Sequence, residues 1–285
     1  MFSKMRVYKK TWVVYKEFSK MYGPVTTLYI GRYRMISINT SELIYEALQL
    51  KGKEFNFRTA KFMPMLKDIP KGVAFSEGRE WQQRRRFALR AMRDFGMGRT
   101  GMLEKVHDEL GHFLEEIDKQ VGKPMKTRML LTNTVSNVIC SLVFGKRFEY
   151  NDPDFVDLVG NIQSIVSRPF TSRAIFLIMP FLHYFMKSPD IENVTKLRAT
   201  IGKLLREAIS EHRKDFTPEI IRDFPDLFIQ TEMSDEEAVD FHTLEQIMID
   251  MFFAGTETTS TALDWTLLFL TKFPAIQQVR ATLKV

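Results

Sequence analysis

The sequence predicts a mainly α-helical protein with one minor β hairpin near its amino terminus. Over most of the chain, apolar residues recur at steps of three and four, the spacing of amphipathic helices. Two short runs rich in β-branched residues, 25–30 and 34–38, flank Gly31 near the start and predict the hairpin. One apolar segment, 243–273, is long enough for a helix of about 45 Å, the width of a domain.

The region before residue 80 is expected to hold a helix, the hairpin and a long loop. Aromatic residues over 8–22 lie at helical spacing, and a glycine–proline pair ends that helix. The segment SELIYEAL (41–48) predicts a second helix, with polar residues available as caps just before it. Residues 55–78 contain two prolines and two glycines, and a loop of this length is usually functional or mobile.

Helices are expected to fill the rest of the chain. An acidic loop precedes the long helix, and Pro274 ends that helix. No repeat, low-complexity tract or linker divides the sequence, so 1–285 is expected to form a single domain. The helices predicted before the long one span 80–91, 100–121, 127–145, 154–168, 173–186, 190–214 and 218–231.

Composition indicates a folded protein with a sizeable core. The chain has 285 residues, of which 45% are hydrophobic and 27% charged. Its single cysteine, Cys140, excludes an intrachain disulfide and fits a reducing compartment or the cytosolic side of a membrane. No continuous apolar stretch in 1–20 resembles a signal peptide.

The net charge of +6 comes from two basic segments. Residues 1–20 hold six basic residues against one acidic residue, and residues 79–99 hold seven against two. Basic faces of this kind meet nucleic acid, an anionic membrane or an acidic protein, and otherwise form a solvated helix face.

The long apolar segment is interpreted as a helix buried in protein. It is long enough to span a bilayer, but Asp250, Glu257 and Asp264 would each be costly at bilayer depth. A helix of this length is normally the central support of a domain.

The middle of this helix, FFAGTETTST (252–261), carries a glycine, a carboxylate and five hydroxyl groups among apolar neighbours. Glu257 and Thr258 share one face with Ala254. One interpretation is a loosened helix centre, where Glu257 and Thr258 handle protons beside a cavity and Gly255 lets a ligand approach the backbone. The other is a helix that packs closely through small residues, with its hydroxyl groups bonded to its own carbonyl oxygens. Spacing alone leaves both interpretations open.

Three stretches resemble one known family. AGTETT (254–259) resembles the oxygen-activation motif of the cytochrome P-450 haem-thiolate monooxygenases. FSEGREWQQRRRFALRAMRDFGMG (75–98) resembles the segment where a Trp and an Arg four residues later bond a haem propionate, and Trp81 and Arg85 hold these positions. SNVICSLVFGKRFEY (136–150) resembles the same region of the animal microsomal branch, which metabolises drugs and steroids. The resemblance covers essentially the whole chain and implies a partial cytochrome P-450 fold.

The resemblance assigns roles to residues of the long helix. Ala254 and Gly255 are expected to lie over the distal face of the haem, where oxygen binds. Glu257 and Thr258 are expected to relay protons to that oxygen.

It also implies a substrate pocket, whose walls are expected to include Ala74, Phe75 and Phe253. The expected reaction inserts one atom of O2 into a small lipophilic substrate.

Partners and location follow from the same resemblance. Arg86, Arg90 and Arg93 are expected to form a basic surface that docks an NADPH-dependent flavoprotein reductase, the source of electrons. A solvated face or internal ion pairs are the alternative for these arginines. The basic segment 1–20 falls where the family lies beside a membrane surface. The expected location is the cytosolic face of the endoplasmic reticulum membrane, and no nucleic-acid partner is expected.

Some features of the family have no counterpart here. The family holds its haem iron with a cysteine thiolate in a loop near the carboxyl terminus, and no such loop follows the long helix. Cys140 has apolar neighbours and is interpreted as a packing cysteine, so no metal ligand is assigned in this chain. The later Glu-x-x-Arg pair and the N-terminal membrane anchor are not found either. The chain is therefore expected to be the N-terminal portion of a haem monooxygenase, an incomplete domain that is inactive as written.

A second hypothesis is a non-catalytic helical fragment that binds a partner or a membrane surface through its basic face. A reading frame that continues into a cysteine-containing loop favours the enzyme. A stop codon directly after Val285 favours the fragment.

Overall fold

The computed structural model describes residues 11–30, 33–58, 71–97, 100–167, 179, 189–233 and 239–282. The helix predicted over 173–186 lies almost wholly outside these ranges, as do Gly31 and the middle of the predicted loop. Helices dominate the described residues and one two-stranded sheet lies near the amino terminus, so the predicted fold class is confirmed. The described elements in chain order are α1 (Thr11–Tyr22), β1 (Val25–Ile30), β2 (Tyr33–Ile38), α2 (Ser41–Tyr45), a π-helical turn (Glu46–Leu50), α3 (Gly52–Phe55), α4 (Gly78–Asp94), α5 (Thr100–Asp118), α6 (Thr127–Val143), α7 (Pro153–Val166), α8 (Pro189–His212), α9 (Phe224–Met233), α10 (Phe241–Lys272) and α11 (Pro274–Thr282).

The described chain divides into two compact units. Of the described residues, 11–30, 33–58, 75–80, 179 and 189–191 form the first, and 71–74, 81–97, 100–167, 192–233 and 239–282 form the second. The first unit holds α1, the hairpin and the short helices after it. The single domain expected for the whole sequence stays a prediction.

The hairpin follows directly on α1. Gly23 ends this helix with a φ of 91°, a left-handed conformation that suits glycine. β1 and β2 then pair antiparallel, with Val25 opposite Ile38. Asn39 is one of the polar residues just before SELIYEAL, and its side chain donates a hydrogen bond to the carbonyl oxygen of Pro24.

The helix predicted over SELIYEAL is present, but only its first part is α-helical. The α-helical part ends at Tyr45, and a π-helical turn follows over Glu46–Leu50. The N–H of Lys51 closes that turn by donating to the carbonyl oxygen of Glu46 at 2.8 Å. Thr40, at the N-cap, makes no side-chain capping hydrogen bond.

The helix predicted to begin at residue 218 begins instead at Phe224, as α9. Oδ1 of Asp223 accepts a hydrogen bond from the N–H of Asp226 at 3.1 Å, which is how a capping residue satisfies a free donor in the first turn. Pro225 occupies that first turn, where its missing N–H costs nothing. The predicted start was therefore wrong by six residues, and an Asp followed by a proline was the signal for the correct one.

A partly buried charge network joins α8 to α9. Nδ1 of His212 lies 2.8 Å from Oδ1 of Asp226, and Nε of Arg222 donates to Oδ2 of the same carboxylate at 2.6 Å. Burial alone would raise the pKa of Asp226, but the hydrogen bonds from Arg222 outweigh it and hold that pKa below its usual value. Asp223 lies 3.4 Å from the same imidazole, and burial raises its pKa to about 6.

One hydrophobic core fills the second unit, and the first half of α10 passes through it. Cys140 lies in this core and is fully buried, which raises the pKa of its thiol well above the usual value. Within the described ranges, no helix combines the length and apolar character that crossing a membrane requires. The largest fully buried side chains of the core are Phe144, Phe155, Phe224, Phe252, Leu158, Ile162, Leu197, Ile201, Leu204, Leu205, Leu244 and Ile247.

Candidate active site

The candidate site is built on α10, the helix that carries AGTETT. Asp240 caps its start, with the side chain accepting a hydrogen bond from the N–H of Thr243 at 2.9 Å. The helix ends at Lys272, two residues before Pro274, where the sequence predicts its end. Its buried residues all lie between Leu244 and Ser260, so the motif stands at the end of the packed half.

Ala254 and Thr258 lie one turn apart on an exposed strip of α10. The hydroxyl of Thr258 donates to the carbonyl oxygen of Ala254 at 2.6 Å. A hydroxyl that bonds the preceding turn needs no partner from outside the helix, yet it keeps an oxygen that can accept a further hydrogen bond. The strip therefore offers a small surface with one oxygen that can accept a hydrogen bond.

The opposite side of the motif packs against α6, which runs along α10. A Cβ atom added to Gly255 would lie only 2.7 Å from Cδ1 of Ile139. The hydroxyls of Ser136 and Thr256 meet at 3.4 Å in the same contact. The close neighbour of this glycine is thus a side chain of α6, which matches the packing interpretation that the sequence left open.

Glu257 faces α6 as well. Its Oε1 receives hydrogen bonds from the guanidinium of Arg128 and, at 3.1 Å, from the hydroxyl of Thr261. The same guanidinium donates to the hydroxyl of Thr261 at 2.6 Å. Beside this group, Thr127 donates to Oδ1 of Asp264 at 2.6 Å and forms a second polar link between the two helices.

The structure therefore gives Glu257 and Thr258 different hydrogen-bond partners. The hydroxyl of Thr258 bonds within α10, whereas the carboxylate of Glu257 bonds Arg128 of another helix. Sequence reasoning missed Arg128 because nothing in its local pattern says which residue 129 positions later will pair with it. A basic residue in the first turn of an apolar helix was the only available signal.

Asp250 anchors the end of the loop that precedes α4. Its Oδ2 accepts a hydrogen bond from the N–H of Ala74 at 2.8 Å. Burial raises the pKa of this carboxyl group, and the hydrogen bonds that it accepts oppose the rise. A Cβ atom on Gly72 would lie 2.3 Å from the same oxygen, so the approach requires glycine.

Trp81 and Arg85 stack one turn apart on α4. The guanidinium carbon of Arg85 lies 5.5 Å from the centre of the Trp81 ring, within cation–π range. Arg85 is exposed, and within the described part of the chain no carboxylate pairs with it. Both side chains carry N–H groups that can donate hydrogen bonds, and they lie on neighbouring turns.

The residues predicted to wall a substrate pocket are distributed over both units. Ala74 is exposed and tied to Asp250, and Phe253 is half-buried on α10. Phe75 belongs to the first unit and is 44% exposed. A groove of about 430 Å³ lies in the second unit, next to Phe228. None of these three side chains lines it, and neither Ala254 nor Thr258 does.

Comparison with known proteins gives the family. A profile described as Cytochrome P450 matches residues 2–280. The chain is 34% identical over 271 residues to cytochrome P450 2H1 of Gallus gallus, which covers 93% of this chain and 54% of that protein. It is 35% identical over 272 residues to cytochrome P450 2J2 of Homo sapiens, covering 92% of this chain and 53% of that protein. It is 34% identical over 270 residues to cytochrome P450 2C23 of Rattus norvegicus, covering 91% and 53%.

The chain spans about half the length of these curated relatives. The profile nevertheless covers nearly all of it, including α4, α6 and α10, and the relatives are proteins of animals. The chain belongs to the cytochrome P450 family of haem-dependent monooxygenases.

Proposed function

We propose that this protein serves a haem-dependent monooxygenase reaction, in which one atom of O2 enters a small lipophilic substrate. The observation that supports it best is the exposed strip of Ala254 and Thr258 on α10, in a chain whose family profile runs through that helix. Electrons are proposed to come from NADPH through a flavoprotein reductase. Because the chain spans about half the length of its relatives, this activity is proposed for the whole protein.

The side chains of α4 and α10 suit a haem. Its propionates are carboxylates, and Arg85 and Trp81 offer N–H donors on adjacent turns with no acid of the described chain already bound to Arg85. Ala254 is small enough to let a flat ring lie against α10. Gly255 is proposed to support this surface by letting α6 pack closely behind it.

Proton delivery is the task proposed for the hydroxyl of Thr258 and the carboxylate of Glu257. Haem supplies the activation of O2 when it is bound. Thr258 can accept a hydrogen bond from water on the exposed side while it donates to the carbonyl oxygen of Ala254. Glu257 supplies a negative charge beside it, where a carboxylate can exchange protons with water.

Three further roles are proposed from the family. Ala74, Phe75 and Phe253 are proposed to line the path of the substrate. Arg86, Arg90 and Arg93 are exposed on α4, and their shared charge suits an acidic reductase surface. The proposed location is the cytosolic face of the endoplasmic reticulum membrane, with the membrane surface as a partner.

Thr258→Ala tests the proposed reaction in the haem-loaded protein supplied with NADPH and reductase. Without the hydroxyl, activated oxygen that is not protonated correctly leaves as hydrogen peroxide, so peroxide released per NADPH should rise several-fold. Haem content and substrate affinity should stay near the original values, because in the described part of the chain the hydroxyl of Thr258 bonds only its own helix.

Thr258→Ser is the matched control, because it keeps the hydroxyl and should release much less peroxide than the alanine variant. If Thr258→Ala changes only the free energy of unfolding, by about 1 kcal/mol, and leaves the peroxide fraction unchanged, the hydroxyl is a packing device and the relay is wrong.

A further inference from the structure

A closed ring of three side chains joins the first turn of α6 to the middle of α10. One guanidinium nitrogen of Arg128 donates to Oε1 of Glu257, and the other donates to the hydroxyl of Thr261 at 2.6 Å. That hydroxyl donates in turn to the same Oε1 at 3.1 Å. Each member therefore bonds both others.

The ring uses only one oxygen of the carboxylate. Both hydrogen bonds that Glu257 accepts through its side chain end on Oε1, and within the described residues none ends on Oε2. The side chain of Glu257 is 17% exposed, so water can reach the second oxygen. One oxygen is held in place while the other stays available for exchange of a proton.

Stability alone does not explain this arrangement. The side chain of Arg128 is 37% exposed, and ion pairs with that much contact to water contribute little to the free energy of folding. The planar guanidinium instead fixes orientation, because its two N–H donors set the angle between the carboxylate and the hydroxyl that they bind. A lysine at the same place presents a single point charge and cannot hold both partners in one plane.

We propose that Arg128 is the positioning residue for Glu257, fixing Oε1 together with Thr261 so that Oε2 alone exchanges protons with water. This inference rests on the proposed function, because it gives the orientation of the carboxylate a purpose in proton delivery. Arg128 acts through Glu257 and has no contact with the reacting atoms in this role.

The test compares four variants of the haem-loaded protein by hydrogen peroxide released per NADPH. Glu257→Gln should raise that ratio several-fold, and Arg128→Gln should raise it to about the same value. The double variant should release no more than either single variant, because both changes disable the same oxygen. Arg128→Lys should give an intermediate ratio, since it keeps the charge but loses the fork.

Thr127→Val is the matched control. It removes the neighbouring link between α6 and α10, the hydrogen bond to Asp264, without touching the ring. It should lower the urea midpoint of unfolding as Arg128→Gln does, but leave the peroxide ratio at the original value.

Urea midpoints of the same proteins provide a readout that does not depend on turnover. If the ring exists, the fall in midpoint for the Arg128→Gln, Glu257→Gln double variant should be smaller than the sum of the two single falls. Additive falls would overturn the ring itself.

Two peroxide results would overturn the inference in distinguishable ways. An unchanged ratio in Arg128→Gln, with a raised ratio in Glu257→Gln, removes the positioning role and leaves the proposed relay standing. Unchanged ratios in both Glu257→Gln and Thr258→Ala remove the relay and the role of Arg128 with it.

Discussion

Asp223 illustrates how a single buried carboxylate shapes the behaviour of its surroundings. It is 1% exposed, and its Oδ1 caps α9 through the N–H of Asp226. Among the described residues its Oδ2 finds no hydrogen-bond partner, and a Cβ atom added to Gly145 would approach it to 2.1 Å. A buried oxygen without a donor favours the protonated form of the acid, and this explains the raised pKa of about 6.

Asp223→Asn should change how stability depends on pH. The folded pKa of Asp223, about 6, is higher than the ordinary value of 3.8, so the folded state binds the proton more tightly than the unfolded state. Its contribution to stability is therefore full below about pH 4 and is lost as the pH rises through about 6. The stability of the original protein relative to Asp223→Asn should fall by about 1–3 kcal/mol over that range.

Urea unfolding at a series of pH values measures this difference. Asparagine keeps an oxygen that can accept the N–H of Asp226, so the cap of α9 is retained in the variant. Parallel pH profiles for the two proteins would contradict the assignment of the raised pKa to Asp223.

At the scale of elements, the contact between α10 and the loop before α4 depends on the absence of one side chain. Gly72 lies against Oδ2 of Asp250 and against the backbone carbonyl oxygen of Gln246. A Cβ atom added to Gly72 would lie 2.9 Å from that carbonyl oxygen. A backbone oxygen inside a helix cannot move aside as the end of a flexible side chain can. The loop end and the helix are therefore fitted to each other at this point.

Gly72→Ala should lower the free energy of unfolding by about 1–3 kcal/mol, because the added methyl group forces the loop away from Asp250. Gly111→Ala, on the exposed side of α5, is the control: nothing lies within 4 Å of its added Cβ, and alanine favours a helix. That variant should gain up to about 1 kcal/mol. Chemical denaturation measures the free energy of unfolding of both variants. A higher value in Gly72→Ala than in the original protein would contradict the fitted contact.

Helices and strands were predictable from the sequence where a repeating pattern of residues defines them. The side-chain contacts between one helix and another were not. The helices after residue 80 follow apolar spacing, which one chain segment displays by itself. The start of α9 was missed because Asp223 and Pro225 signal a cap only weakly against the apolar pattern around them. The ring of Arg128, Glu257 and Thr261 depends on how two helices cross, which no local pattern contains.

In the candidate site, too, the positions of residues were predictable and their side-chain contacts were not. Resemblance to a family located Ala254 and Thr258, and both lie on the exposed strip of α10. The same sequence suggested that Glu257 and Thr258 act as a pair, whereas the structure directs their side chains to different partners. Adjacent residues on a helix differ by about 100° in direction, so sharing a motif does not ensure sharing a contact.

At the scale of the whole molecule, packing is uneven along the protein's longest described helix. α10 passes through the core of the second unit as far as Ser260. Beyond that point its side chains are half-buried or exposed, and several are large and apolar. The exposed apolar side chains of this second half are Leu263, Trp265, Leu268 and Phe269.

This gradient implies that the backbone hydrogen bonds of α10 open at different rates in its two parts. Backbone amides between Leu244 and Ser260 open only when the core opens, whereas those after Leu263 need only local fraying. Hydrogen–deuterium exchange of this 285-residue chain should be slow over the first segment and faster by orders of magnitude over the second. Uniform protection along α10 would contradict this. Thr258 lies before the boundary, so the hydroxyl of the proposed proton relay is held by the slowly exchanging segment of α10.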